Sequence, residues 1–406
     1  SPVLKLEGEY PLAEAPASEM LQAAGSLPFK ATLDFVDADQ FDIDLTADAT
    51  QASLTLPQLN WQKPRQQALS IQAAGRLNTQ ASQPALDIKT LALNGEGIKA
   101  QGRISNALSD NRTLSFQPFQ LGEHDLDVLT LTPQKLEVKG QTFDGRGIDL
   151  FAESDVVPAA IDINVANYLL PKNKLTKLEA DFQQQDDIWQ QGSFMAYIDG
   201  KGLFANIKPH ENGKREVTIS IEDTGLTMAG LGLHQGFAGG RLTGKMMLDD
   251  KNLGTGHIIV QNLRLVEVPL MARLLATLTL DPLLDLKQGL LFREVDIPLG
   301  FEPDGIALER GALKGPSMDM YLDGKYTYDS KVNIDGRLIP ANTLNRLISD
   351  IPLVGSLLTG SQEGLLVADF KIKGAATDPD ISVQPLSLIT PGLLKDIFRG
   401  LTGDQK

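Results

Sequence analysis

Apolar and polar residues alternate along most of this chain. Phe29, Ala31, Leu33 and Phe35 interleave with Lys30, Thr32 and Asp34, and Phe41, Ile43 and Leu45 interleave with Asp42, Asp44 and Thr46. A period of two puts each set on its own side of an extended backbone, so every such segment predicts a half-buried strand. The pattern returns at Leu54 and Leu56, Leu69 and Ile71, Leu91 and Leu93, Leu114 and Phe116, Leu129 and Leu131, Leu136 and Val138, and at Ile161, Ile163 and Val165. Further on it holds at Ile219 and Ile221, Leu242 and Met246, Ile258 and Val260, and Met318, Met320 and Leu322. Val332 and Ile334, then Phe370 and Ile372, continue it.

The period changes in three places. Leu270, Met271, Leu274, Leu275 and Leu278 recur at three and four, one face of a helix, and a leucine cluster at Leu283, Leu284 and Leu286 follows. Leu344, Leu347, Ile348 and Ile351 repeat the spacing up to Pro352, and Leu353, Val354, Leu357 and Leu358 add a second apolar patch. Thr390 before Pro391 is a hydroxyl cap with proline at the first helical position. Helices are therefore expected near 269–286, 341–359 and 391–400, and none between residues 30 and 265. A long antiparallel sheet with so few helices must cover its apolar face itself or have it covered by a ligand.

Composition sharpens this. The 37 glycines and 22 prolines are spread along all 406 residues, which favours one elongated array over domains joined at a hinge. A net charge of -15 with no concentration of Lys and Arg argues against nucleic acid. Without cysteine there are neither disulfides nor thiolate metal sites, and no apolar run approaches the length of a membrane-spanning helix. Because the chain begins at Ser1, it reads as a piece of something longer.

Aromatic residues make up only 6% of the chain, so the inward face is mainly aliphatic, which suits flexible acyl chains better than a flat polar metabolite. The candidate lining is Ile219, Ile221, Leu242, Met246, Ile258 and Val260, followed by Met318, Met320, Leu322, Val332, Ile334, Phe370 and Ile372. The last helix, with Leu394, Ile397 and Phe398 beside Lys395 and Arg399, is a candidate for docking on a membrane or partner, although the same pattern fits any surface helix end. The other helices either pack the end of the sheet or gate it.

No catalytic constellation emerges, and no metal or cofactor is expected. His124, His210, His234 and His257 are isolated and read as surface or rim residues. Asp34, Asp37, Asp39, Asp42 and Asp44 lack the glycine and distal glutamate of a calcium loop. Ser361 sits in GSQEG, which is no nucleophile elbow. Gly230 and Gly232 read as a turn or bulge, not as a dinucleotide loop.

Particular residues add a resemblance. They are Glu222-Asp223 with Gly225, Gly239-Gly240, Gln261-Asn262, Val268-Pro269 with Ala272-Arg273-Leu274-Leu275, and Gly315-Pro316-Ser317. Gly336 with Pro340 and Ala341, Leu344-Asn345, Ile351-Pro352-Leu353-Val354-Gly355 with Leu358 and Gly360, and Gly364 continue the set. Val383-Gln384-Pro385-Leu386-Ser387 running into Pro391-Gly392 completes it, with Gln384 standing where Asn is expected. On these residues the stretch 221–399 resembles the C-terminal region of the AsmA-like proteins of the bacterial envelope.

The likeness divides the chain into a β-segment of repeated strands, 1–220, which shares only the strand texture, and an AsmA-like region, 221–406. It implies a long sheet folded into a U-shaped, taco-like hydrophobic groove that binds phospholipid acyl chains. It further implies phospholipid transport between inner and outer membranes, a place in the periplasm, and an inner-membrane anchor N-terminal to this chain. The alternative within the family is an assembly or scaffolding module, like the TamB branch, that engages an outer-membrane protein.

Overall fold

The computed structural model describes residues 3–12, 21–79, 84–109, 111–148, 157–233, 235–266, 289–340, 365–383 and 387–389. The protein is mainly β and falls into two compact units, Ser1–Gly200 and Lys201–Lys406. The helices expected near 269–286, 341–359 and 391–400 lie outside the described residues.

The first unit contains β1 (Val3–Pro11), β2 (Gln22–Ala24), β3 (Ser26–Phe35), β4 (Gln40–Asp48), β5 (Ser53–Leu56), β6 (Trp61–Lys63), β7 (Leu69–Asn78) and β8 (Ala85–Gly95). It continues with β9 (Ile98–Ser105), β10 (Thr113–Leu121), β11 (His124–Leu131), β12 (Leu136–Asp144), β13 (Ala160–Leu169), β14 (Lys174–Gln185) and β15 (Ile188–Ile198). β1, β3, β4 and β7 to β15 pair in that order into a sheet whose ends do not meet, and β2, β5 and β6 make a small sheet apart from it. Leu54 and Leu56, expected in the main succession, belong to this small sheet.

One row shows how closely alternation is obeyed. Leu6, Ala31, Leu45, Ala73, Leu91 and Gly102 stand opposite one another on successive strands. Phe116, Leu129, Val138, Ile163, Ala180 and Phe194 carry the row to β15. Two-residue hairpins sustain the meander: at Asp186-Asp187 both residues have positive φ, 53° and 61°, as a tight turn matched to strand twist requires.

The sheet is mixed, which corrects the expectation of a wholly antiparallel one. β12 and β13 run parallel, from Leu136 opposite Ile161 to Asp144 opposite Leu169. A parallel neighbour needs a connection that returns to the starting end of the sheet, unlike the tight turn of a hairpin. Alternation alone carries no information about strand direction.

The second unit contains β16 (Lys201–Pro209), β17 (Arg215–Ile221), the short helix α1 (Thr224–Gly230), β18 (Phe237–Leu248), β19 (Gly254–Leu265) and β20 (Leu290–Glu302). β21 (Gly305–Lys314), β22 (Met318–Thr327), β23 (Lys331–Pro340), β24 (Leu365–Ala375), β25 (Asp380–Val383) and β26 (Ser387–Ile389) follow. β16 to β24 pair antiparallel in chain order, and β25 and β26 share the far edge of β24.

Helix α1 overturns the expectation of no helix before residue 265. Asp223 caps it by accepting the Leu226 amide at 3.0 Å, and the buried Thr224 hydroxyl donates to Gly240 O at 2.9 Å, tying it to β18. Gly225 lets the helix approach closely: a Cβ there would meet Phe237 O and the Ala238 Cα at 2.6 Å. Gly230 is the last helical residue, and Gly232, at φ +76°, lies in the turn beyond it.

Candidate functional site

In the second unit the apolar face is built of rows that cross the strands. Ile221, Leu242, Val260, Val295, Leu313, Met320, Leu338 and Ala368 stand opposite one another from β17 to β24. The next row is Ile219, Gly244, Ile258 and Ile297, continued past a register shift by Leu322, Gly336, Phe370 and Val383. Beyond it come Leu299, Leu308, Gly324, Ile334, Ile372 and Ile381, and then Phe301, Ile306, Tyr326 and Val332.

Burial is graded along the strands. Leu263, Leu290, Phe292, Val295, Leu313, Met318, Met320, Leu338 and Ala368 form a dry cluster in which Phe292, Leu338 and Ala368 have no exposed surface at all. Toward the other strand ends Ile334, Ile372, Val332, Ile306 and Phe301 are only half-buried. One end of the apolar face is thus closed, and the other keeps hydrocarbon within reach of water or of a guest.

The register places all thirteen candidate lining residues on this one face. They divide by burial. Ile221, Met246, Val260, Met318, Met320 and Phe370 are buried, whereas Ile219, Leu242, Ile258, Leu322, Val332, Ile334 and Ile372 are half-buried. The candidate docking residues Leu394, Ile397 and Phe398 lie outside the described residues, as do Ser361 and His234.

The first unit shows the same gradient with a different seal. Its open row runs through the half-buried Leu33, Ile43, Ile88, Ile104, Leu114 and Leu136. Its dry end, at Leu69, Ile98, Leu121 and Leu126, lies where the excursion between β4 and β7 packs. Trp61 of β6 lies over Gly122, where a Cβ would meet its ring at 2.8 Å, and a Cβ on Gly147 would meet Pro57 O at 2.3 Å.

Beneath this cap runs a ladder of rings. Phe116 and Phe119 lie 5.4 Å apart, Phe119 and His124 5.8 Å, His124 and Phe143 5.1 Å, and Phe143 and Tyr168 5.5 Å. Strict alternation would put Phe116 and Phe119 on opposite faces. The register shifts between them, at Gln117 and Pro118, and both rings reach the buried side.

Polar groups lock the cap down. His124, expected at a surface or rim, is 1% exposed. Its Nδ1 accepts the Asp144 amide at 3.2 Å, so the proton sits on Nε2, which donates to Leu59 O at 2.9 Å. Burial pushes its pKa down, against the Leu59 carbonyl and the Asp144 charge. Burial alone would raise the Asp144 carboxyl, but the Arg146 guanidinium and the Asn60 amide outweigh it and hold the pKa at about 2. Arg146 donates to it at 2.8 and 2.7 Å and Asn60 at 2.9 Å. Burial also raises the Tyr168 hydroxyl to about 12. Lys63, itself buried, donates to Ala52 O at 2.7 Å and Pro64 O at 3.1 Å, and burial lowers its pKa. Sequence reading missed this cap; the lapse of alternation between Asp48 and Leu69, with Pro57 and Trp61 inside it, was the available sign.

The opposite faces carry cross-strand charge. Arg337 grips Asp369 at 2.7 and 3.2 Å, Lys371 pairs with Asp335 at 2.6 Å, and Lys245 with Glu216 at 2.8 Å. His257, half-exposed, pairs with Asp296 at 2.5 Å, and His210 is exposed. In the first unit Lys135 and Lys139 each contact both Glu137 and Asp162 at 2.7 to 3.3 Å, linking the parallel strands β12 and β13. Of the acidic cluster, Asp42 is held by Arg76 at 2.8 Å through both oxygens, which lowers its pKa, and Asp37 accepts the Asp39 amide in the turn. Among the described residues no three His, Asp or Glu side chains gather as a metal site would need. Comparison with known protein families, curated proteins and solved structures finds no match to this chain.

Proposed function

We propose that this chain is a non-enzymatic lipid-binding segment whose half-buried aliphatic rows hold the acyl chains of phospholipid. The observation that carries the reading is the open end of each apolar face. Ile334, Ile372, Val332, Leu33, Ile43 and Ile88 are hydrocarbon left partly uncovered, and each square ångström withdrawn from water there contributes roughly 25 cal/mol. Headgroups would stay in water at the strand ends. Each half-buried row repeats similar aliphatic residues on successive strands and so offers a chain nearly equal contact from strand to strand; movement along the row needs no catalytic group.

The resemblance of 221–399 to the AsmA-like region supports the finer reading. In it the sheet curls into a U-shaped groove and forms part of a bridge for phospholipid between inner and outer membranes. The protein then works in the periplasm of a Gram-negative bacterium, anchored through a preceding segment, without cofactor or metal. A second reading, an assembly module that binds an outer-membrane protein, draws on β1, whose nine residues are all exposed and which among the described residues pairs only with β3.

Native mass spectrometry of protein purified from bacterial cells tests the choice. Bound phospholipid that disappears in Ile334→Asp, with the circular dichroism spectrum unchanged, supports lipid binding. Protein that carries no lipid, and takes none up from phosphatidylglycerol vesicles, overturns it in favour of the assembly module.

A further inference from the structure

Gly336 of β23 stands directly opposite Phe370 of β24. A Cβ on Gly336 would lie 2.1, 2.3 and 2.6 Å from Cζ, Cε2 and Cε1 of that ring, and no backbone atom is among its three nearest neighbours. The ring therefore lies flat across the adjoining strand, in room that only glycine leaves. The device recurs in the first unit, where Gly102 stands opposite Phe116 and a Cβ would meet ring atom Cδ1 at 2.5 Å.

The position of Phe370 matters as much as its pose. On one side of its row lie Met320, Leu338 and Ala368 of the dry cluster; on the other lie the half-buried Ile334 and Ile372. Phe370 itself is 2% exposed, so it is the last dry residue of β24 before the open rows begin. Among the described residues, those that the register sets in its row or the next on the open side, Leu322, Val383, Ile372 and Ile381, are aliphatic. A guest reaching the ring meets it with hydrocarbon.

We infer that Phe370, kept flat by Gly336, is the inner stop of the acyl-chain site and sets the chain length that it accepts. The inference rests on the lipid-binding reading above. Rows on one face are two residues apart, so moving the stop by a row changes the usable depth by about 7 Å. Gly336→Ala forces the ring off the strand and into the site, shortening it. Phe370→Leu removes ring volume and deepens it. In the double variant the leucine lacks the ring atoms that the new methyl group would meet, and depth returns toward that of the natural chain.

Calorimetric titration of delipidated protein with decanoate and with palmitate reads this out. Gly336→Ala should weaken palmitate relative to decanoate by about tenfold, Phe370→Leu should shift the ratio the other way, and the double variant should recover it. A purely structural role lowers melting temperature while leaving the ratio alone. If wild type binds palmitate and the variants leave the ratio unmoved, the stop is overturned but not the lipid reading. Wild type that binds neither acid overturns both. Should Gly336→Ala not fold, Phe370→Leu decides alone, because an unchanged ratio there overturns the stop.

Discussion

The two units solve one problem in two ways. Each has an apolar face that is dry at one end and half-covered at the other, yet the described residues at the dry end differ: a chain excursion with buried polar groups in the first, apolar strand residues in the second. In the first, Trp61, the ring ladder and the buried His124, Asp144 and Lys63 hold the seal. In the second, the described residues of the dry end, Phe292, Leu338, Ala368, Met318 and Met320, present hydrocarbon and sulfur. Hydrocarbon packing tolerates changes of pH; a seal built on a neutral imidazole and an ionised carboxylate does not.

The largest expected effect tests the gradient itself. Phe292→Ala at the dry end of the second unit should cost about 3–5 kcal/mol in urea unfolding, whereas Ile372→Ala in the open rows should cost no more than about 2 kcal/mol. Equal costs would mean that the two ends are packed alike. Next, Trp61→Ala should remove about 3 kcal/mol from the first unit and leave the second untouched. Both tryptophans of the chain, Trp61 and Trp189, lie in the first unit, so their fluorescence follows that unit and Trp189 still reports in the variant.

The pH dependence is smaller and has a definite sign. His124 has a folded pKa below the ordinary 6.5, so below that pH the unfolded chain binds the extra proton and the folded one does not. The first unit should therefore lose stability as pH falls through 6.5, at no more than about 1.4 kcal/mol per pH unit for the one group. Asp144 adds a second loss in stronger acid, as pH falls from 3.8 toward about 2. Melting followed by tryptophan fluorescence between neutral and mildly acidic pH should show the first slope, and His124→Gln should flatten it. The smallest effect is a control on the outer face: Lys371→Ala, breaking an exposed pair with Asp335, should change stability by less than about 1 kcal/mol.

Much of this architecture was legible from alternation. The charged neighbours Asp335, Arg337, Asp369 and Lys371 place Val332, Ile334, Phe370 and Ile372 on one face, and the register agrees. What stayed hidden depends on information that a period of two does not carry. The direction of β13 relative to β12 is invisible to it, and the shift at Pro118 breaks it locally so that Phe116 and Phe119 share a face. His124 looked solitary because its partners, Leu59 and Asp144, are distant in sequence and meet it only once the excursion has folded back. Helix α1 was missed because seven residues are too few for a helical period to declare itself among strands.

The charges across β23 and β24 do more than face solvent. Asp335 and Arg337 stand opposite Lys371 and Asp369. Sliding one strand by two residues in one sense sets Arg337 against Lys371, and in the other sense sets Asp335 against Asp369; a slide by one turns the greasy side outward. Every nearby misalignment is thus penalised. Where strands share one alternating pattern, these few side chains give the β23–β24 pair its own proofreading, favouring a single alignment as it assembles.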